Sequence, residues 1–229
     1  MMTNFLRNRS PSLSWVVLVL LAIVFLQGSI SYSTAFGVLS RFIPATEDSL
    51  AAGVWLGLRF ILITVVLLLW LLTRKRHLLR AIIITNGFLT FGLFVNMLSL
   101  LDALTRLNAQ AAESLVVDVV LMAITNILIF SIWYWIIDPP GIDETKRDDA
   151  PWDFLFPQRG ADLPHYESWV PRYTDYLYLA FTTSFAFSPT DTLPLTHRAK
   201  MLMLMQSAIS IITLTAIASS AVSLLAGSR

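Results

Sequence analysis

At 229 residues, with 56% hydrophobic and only 14% charged side chains, the chain carries far more apolar surface than one soluble core can hide. Lys and Arg number 16 against 15 Asp and Glu, and this net charge of +1 gives no ground for nucleic acid as a partner. The absence of cysteine excludes disulfide frameworks, thiolate metal sites, iron–sulfur clusters and cysteine nucleophiles.

A helix crosses the hydrocarbon with about 20 apolar residues, so the length leaves room for five spans and one sizeable connecting segment. Apolar runs cover Leu13 to Phe36, Leu50 to Leu72, Ala81 to Leu101, Leu115 to Ile137 and Ala199 to Ala226. The first run has a second reading as a cleaved signal peptide, with Arg7 and Arg9 before an apolar core and Ser33-Thr34-Ala35 as a small-residue cleavage site. With alternating spans, Arg7, Arg9, Arg74, Lys75, Arg76, Arg80, Lys146, Arg147, Arg159, Arg172, Arg198 and Lys200 fall on one side, and Arg41, Arg106 and Arg229 on the other. The positive-inside rule then sets the chain in a cell membrane, inner or plasma, with its amino terminus cytoplasmic and its carboxyl terminus outside. Trp15, Trp70, Trp133 and Trp135 would mark the inner interface and Trp55 the outer one.

Within these spans two ionisable residues stand out. Arg59 lies about ten residues into the second span and Asp118 near the outer end of the fourth, and charges at such depths are paired or functional. Their depths differ by about one to two turns, which a long Arg side chain bridges. The expected pair either fixes helix register or belongs to an ion or proton pathway. Gln27, Asn86, Asn96 and Asn126 supply interhelical hydrogen bonds, and with Arg59 and Asp118 they outline a polar cavity of transporter type.

Asp138-Pro139-Pro140-Gly141 stops the fourth span and opens the one long hydrophilic segment, whose acidic run Asp143, Glu144, Asp148 and Asp149 reads as a solvated loop. Its second half, with Trp152, Phe154, Leu155, Phe156, Tyr166 and Trp169, is expected on the membrane interface. His77, His165 and His197 are dispersed, and no HExxH pattern, Walker loop, dinucleotide fingerprint or Gly-x-Ser-x-Gly elbow occurs. Neither a metal nor a cofactor is expected, and the chain is not read as an enzyme.

Thr174 serves as an N-cap and Asp175 sits in the first turn of an apolar helix over Tyr176 to Phe187, too short to cross. It is followed by Ser188-Pro189-Thr190-Asp191 and the last span, so it is either re-entrant or flat on the surface. Over residues 172 to 226 this order resembles the pore domain of potassium-type channels. Asp191 matches the filter aspartate, Pro194 and Thr196 the proline and threonine after it, and Asp175-Tyr176-Leu177-Tyr178 the start of the pore helix. The resemblance implies an oligomeric ion channel passing small inorganic ions. Ser188 and Thr190 replace the filter glycines and Pro189 the tyrosine, so a potassium filter of inward carbonyls is not expected. The four preceding spans put this loop on the cytoplasmic side, an inverted geometry similar to that of glutamate-receptor channels. The whole chain is similar to an uncharacterised family of small bacterial membrane proteins, which implies no activity. Gln206, Ser210, Thr213 and Ser220 share one face of the last helix, either lining a pore in a homo-oligomer or packing against a neighbouring helix.

The expected fold is therefore all-α, a membrane helical bundle of five transmembrane helices plus one short re-entrant or interfacial pore-type helix. It divides into a four-span domain over 1–137, an acidic, aromatic cytoplasmic loop over 138–173, and a pore helix, filter-like loop and last span over 174–229. The leading functional expectation is an ion-channel-like protein without a potassium filter. The alternative is a non-conducting small transporter or partner subunit built around Arg59 and Asp118.

Overall fold

The computed structural model describes residues 10–30, 48–72, 75–104, 109–138, 152–160, 169–186 and 191–227. In chain order the elements are α1 (Ser10–Ser29), α2 (Asp48–Leu71), α3 (Lys75–Leu104), α4 (Ala109–Ile137), β1 (Phe154–Leu155), α5 (Pro157–Gly160), α6 (Tyr173–Ala186), β2 (Leu193–Pro194) and α7 (His197–Gly227). Five of these helices, α1 to α4 and α7, are long and apolar enough to cross a membrane. The chain is a multi-pass, all-helical membrane protein. The first expected run reached Phe36, whereas α1 ends at Ser29 and residues 31–47 lie outside the described set.

Burial inside the bundle separates centre from rim. Of the spanning window of α4, 61% is buried by protein, against 17% of that of α2. α4 packs on α1, α3, α6 and α7, with its heaviest contact against α7. α2 turns Val54, Phe60, Ile61, Leu68 and Leu71 outward. Such a surface costs nothing in hydrocarbon, where lipid tails are as apolar as the side chains. The main core runs through α1, α3, α4, α6 and α7 and includes Leu20, Leu93, Phe130, Tyr134, Tyr176 and Met203. A second cluster joins Ile30, Leu100, Leu115, Val119, Met122 and Ala216 at the other end.

Pro139 ends α4, because proline disfavours helical backbone at the residue before it and leaves Asp138 just past the last turn. Of the aromatic residues expected on the membrane interface, Tyr166 lies outside the described residues and the stretch 152–156 folds back onto the bundle. Phe154 and Phe156 are buried in the main core, and β1 pairs antiparallel with β2, Phe154 opposite Pro194 and Leu155 opposite Leu193. Aromatic burial against Tyr134 of α4 and Tyr176 of α6 removes more apolar surface from water than a half-immersed loop would. Trp135, expected in an interfacial belt, is likewise buried in this core.

Candidate functional site

The polar groups gather at the end of the bundle that holds the close of α4 and the start of α7. Asp138 is fully enclosed, and its carboxylate accepts from the Asp153 and Phe154 backbone N–H groups at 3.1 and 3.2 Å and from the Tyr176 hydroxyl at 2.6 Å. Arg159 completes the set with an ion pair of 3.0 Å to Asp138 and a hydrogen bond of 2.8 Å to the Phe154 carbonyl. The Arg159 guanidinium lies 5.1 Å from the Trp152 ring and 5.5 Å from that of Phe156, a cation held between aromatic faces. Four donors around one carboxylate are what make burial of that charge tolerable.

Asp153 forms the second half of this clamp. Arg198 binds it in a fork, donating Nε to Oδ1 at 2.6 Å and Nη2 to Oδ2. Thr196 donates to the same Oδ1, and its oxygen also accepts the Ala199 N–H at 3.3 Å, which makes Thr196 the N-cap of α7. The Leu195 N–H donates to the Asp153 carbonyl at 2.9 Å. The segment from Asp191 to Thr196 is thereby tied to the ends of two spanning helices.

α6 enters beside this clamp. Its N-cap is Arg172 rather than Thr174, since the helix begins at Tyr173 and the Arg172 N–H donates to the Asp175 carboxylate at 2.6 Å. This is the reach-back half of a capping box, which a carboxylate three residues on performs better than a threonine inside the first turn. Burial pushes the Asp175 carboxyl up, against the opposing pull of the Arg172 backbone hydrogen bond and charge. Burial also raises the Tyr173 phenol, whose oxygen is 2.6 Å from the Ser131 hydroxyl.

Deeper in, Gln206 of α7 is fully buried and uses its whole amide. Its Nε2 donates to the Ala180 carbonyl at 2.7 Å and to the Ser184 hydroxyl at 2.8 Å, while its Oε1 accepts from Tyr134. One turn on, Ser210 accepts from Asn126 at 2.8 Å, and Thr213 bonds back to the carbonyls of Ile209 and Ser210 at 3.1 and 2.9 Å. Gln206, Ser210 and Thr213 therefore face the interior of their own subunit, as in the helix-packing reading of that stripe. The Ser220 side chain, and Ser188, Pro189 and Thr190, lie outside the described residues. Asp191 is exposed. Gln206 is nine residues into α7, about 14 Å along its axis from His197 at 1.5 Å per residue. Ser184, near the end of α6, thus lies level with Gln206, whereas Leu193 lies near the start of α7, where it pairs with Leu155.

The remaining polar residues separate from this group. Arg59 and Asp118 are both buried, yet among the described residues the ion pairs are Arg159–Asp138 and Arg198–Asp153, so the expected Arg59–Asp118 pair is not made. Arg59 points at α3 instead, with Nη2 over Gly92 and its guanidinium 5.9 Å from the Trp55 ring. Asp118 belongs to the stretch of α4 whose neighbours Leu115, Val119 and Met122 pack with Ile30, Leu100 and Ala216. Gln27 donates to the Leu89 carbonyl at 2.9 Å and Asn86 to that of Ile129 at 3.3 Å, the interhelical bonds expected of both. Among the described residues no three of His, Asp and Glu come together as metal ligands.

Sequence reasoning named Asp191, Gln206 and Ser210 but missed Asp138, Asp153, Arg159 and Arg198 as a unit. The available signal was Asp153-Phe154-Leu155-Phe156, apolar aromatics too dense for a free linker and set beside an acidic residue. No family model matches the chain, and no curated protein or solved structure matches it significantly.

Proposed function

We propose that the chain is an ion-channel-like, multi-pass membrane protein that works as a homo-oligomer, with the segment between α6 and β2, including Asp191, as its constriction. What supports this reading is where the two described ends lie: Ser184 of α6 is fastened to Gln206, about 14 Å along α7 from its start, and β2 is paired with β1 beside that start. A short helix that ends at depth, with the next described residues back at the end where it began, fits a re-entrant loop. Irregular backbone at membrane depth is tolerated where it is buried in protein or lines water. Because Gln206, Ser210 and Thr213 make their hydrogen bonds inside one subunit, the reading assigns the constriction to the loop and leaves the last helix as its support. The exposed aromatic side of α6, with Tyr178, Phe181 and Phe185 at helical spacing, offers a neighbouring subunit a seat.

Purified protein in liposomes should conduct small ions as an oligomer, and Asp191→Ala should change the flux by about threefold or more, since a carboxylate ring at a narrow mouth sets local ion concentration. Single cysteines at positions 188 and 190 should react with thiol reagents from one side. A monomer with no flux sinks the proposal.

A further inference from the structure

α2 ends at Leu71 and α3 begins at Lys75, and a cavity of about 290 Å³ lies between the two helices at that end. Leu62, Val65 and Leu69 of α2 form one apolar wall at helical spacing, and Ala81 and Ile84 of α3 form the other. Val65 is 41% and Ile84 61% exposed, so the groove opens on the side that faces lipid.

The polar groups of the groove all come from α3. His77 and Arg80 stand one turn apart on the same face and are exposed at its mouth. Thr85, about 7.5 Å deeper than Arg80 at 1.5 Å per residue, is 1% exposed, and its hydroxyl has no hydrogen-bond partner. Among the described residues the ion pairs belong to Arg159 and Arg198, and neither Asp nor Glu lines the groove. The sequence holds no acidic residue between Asp48 and Asp102, while Arg74, Lys75 and Arg76 run directly into the stretch that carries His77 and Arg80. A permanent cation at the mouth calls for an anion, and the apolar walls behind it call for hydrocarbon joined to that anion.

The spacing of these groups matches the cross-section of one leaflet. A bilayer measures about 30 Å in hydrocarbon and about 40–45 Å with its headgroups, so the polar zone of a leaflet is about 5–8 Å deep. A phosphate level with Arg80 therefore brings the ester carbonyls, at the inner boundary of that zone, to the depth of Thr85. An ester carbonyl is an acceptor without a donor of its own, and the Thr85 hydroxyl has a proton to give.

We propose that the groove between α2 and α3 holds an anionic phospholipid, with its phosphate on Arg80 and His77, an ester carbonyl on the Thr85 hydroxyl, and the first part of an acyl chain against Leu62, Val65 and Ile84. Phosphatidylcholine shares the phosphate and the esters but brings its own cation to Arg80, and the groove has no carboxylate to neutralise it. Free phosphate leaves the apolar walls bare. The groove shares no residue with the loop after α6 and stands whether or not that loop conducts.

Full-length protein is placed in nanodiscs of phosphatidylcholine with an increasing fraction of phosphatidylglycerol, and the lipid that stays on the chain after gentle extraction is counted by native mass spectrometry. The expected result is saturable retention of a single phosphatidylglycerol per chain, in preference to phosphatidylcholine and undisturbed by inorganic phosphate. Arg80→Gln should weaken retention by about fivefold or more, the effect of one basic residue on an anionic lipid. Val65→Trp fills the groove from a half-exposed position, keeps every charge, and should weaken retention by about tenfold through lost acyl contact. Equal retention of the two lipids, unchanged retention in either variant, or displacement by inorganic phosphate alone overturns the proposal. So does a Val65→Trp protein that keeps its lipid but changes its oligomeric state, since a second copy of the chain is then the occupant.

Discussion

Asp138 shows what one residue at a helix end can settle. It sits where Pro139 forbids another turn, and its carboxylate collects two backbone N–H groups, Arg159 and Tyr176. Removing a buried partner leaves the other charge uncompensated, which costs about 3–5 kcal/mol, much more than the pair contributes net. Asp138→Ala should therefore lower unfolding stability in detergent by about that amount. Adding Arg159→Met to Asp138→Ala should return part of the loss, because the stranded cation is then gone. Equal stabilities of the single and the double variant would show that Arg159 is not held by this carboxylate. The Arg198–Asp153 fork is a weaker case, since the Arg198 side chain is 60% exposed and solvent screens it.

At the scale of elements, the hydrogen bonds that join α6 to α7 among the described residues come from a single side chain. Gln206→Leu keeps the volume but deletes three hydrogen bonds to Ala180, Ser184 and Tyr134, at a cost of about 1–2 kcal/mol if interhelical bonds in membranes behave as usual. The loss should be local: amide exchange across 173–186 should accelerate while that of α1 and α3 stays as it was. Uniform acceleration would mean that Gln206 serves the whole bundle. The five spans were legible because a run of about 20 apolar residues has few other uses. The short helix was legible too, although it starts at Tyr173, ahead of the expected cap Thr174, and is capped two residues earlier by Arg172. The clamp was not. Asp138, Asp153, Arg159 and Arg198 spread over 60 residues, and each alone looks like a solvated loop charge. Depth along a helix can be counted from sequence, but the direction a side chain takes around it cannot. That is why Arg59 and Asp118, within one to two turns of each other in depth, still do not pair.

For the whole molecule the two ends differ in charge. His77, Arg80, Arg159, Arg198 and Lys200 lie with Asp138 and the clamp, whereas the opposite end holds Ser29, Gly53 and Asp102. The excess of Arg and Lys predicts that the clamp end faces the cytoplasm, because translocating basic loops is disfavoured. The absence of native cysteine makes this directly measurable. His77→Cys and Asp191→Cys, both at exposed positions, should react with a membrane-impermeant maleimide only in inside-out vesicles, and Gly53→Cys only in intact cells. Reaction of His77→Cys from outside would invert the molecule, and the loop after α6 would then open outward.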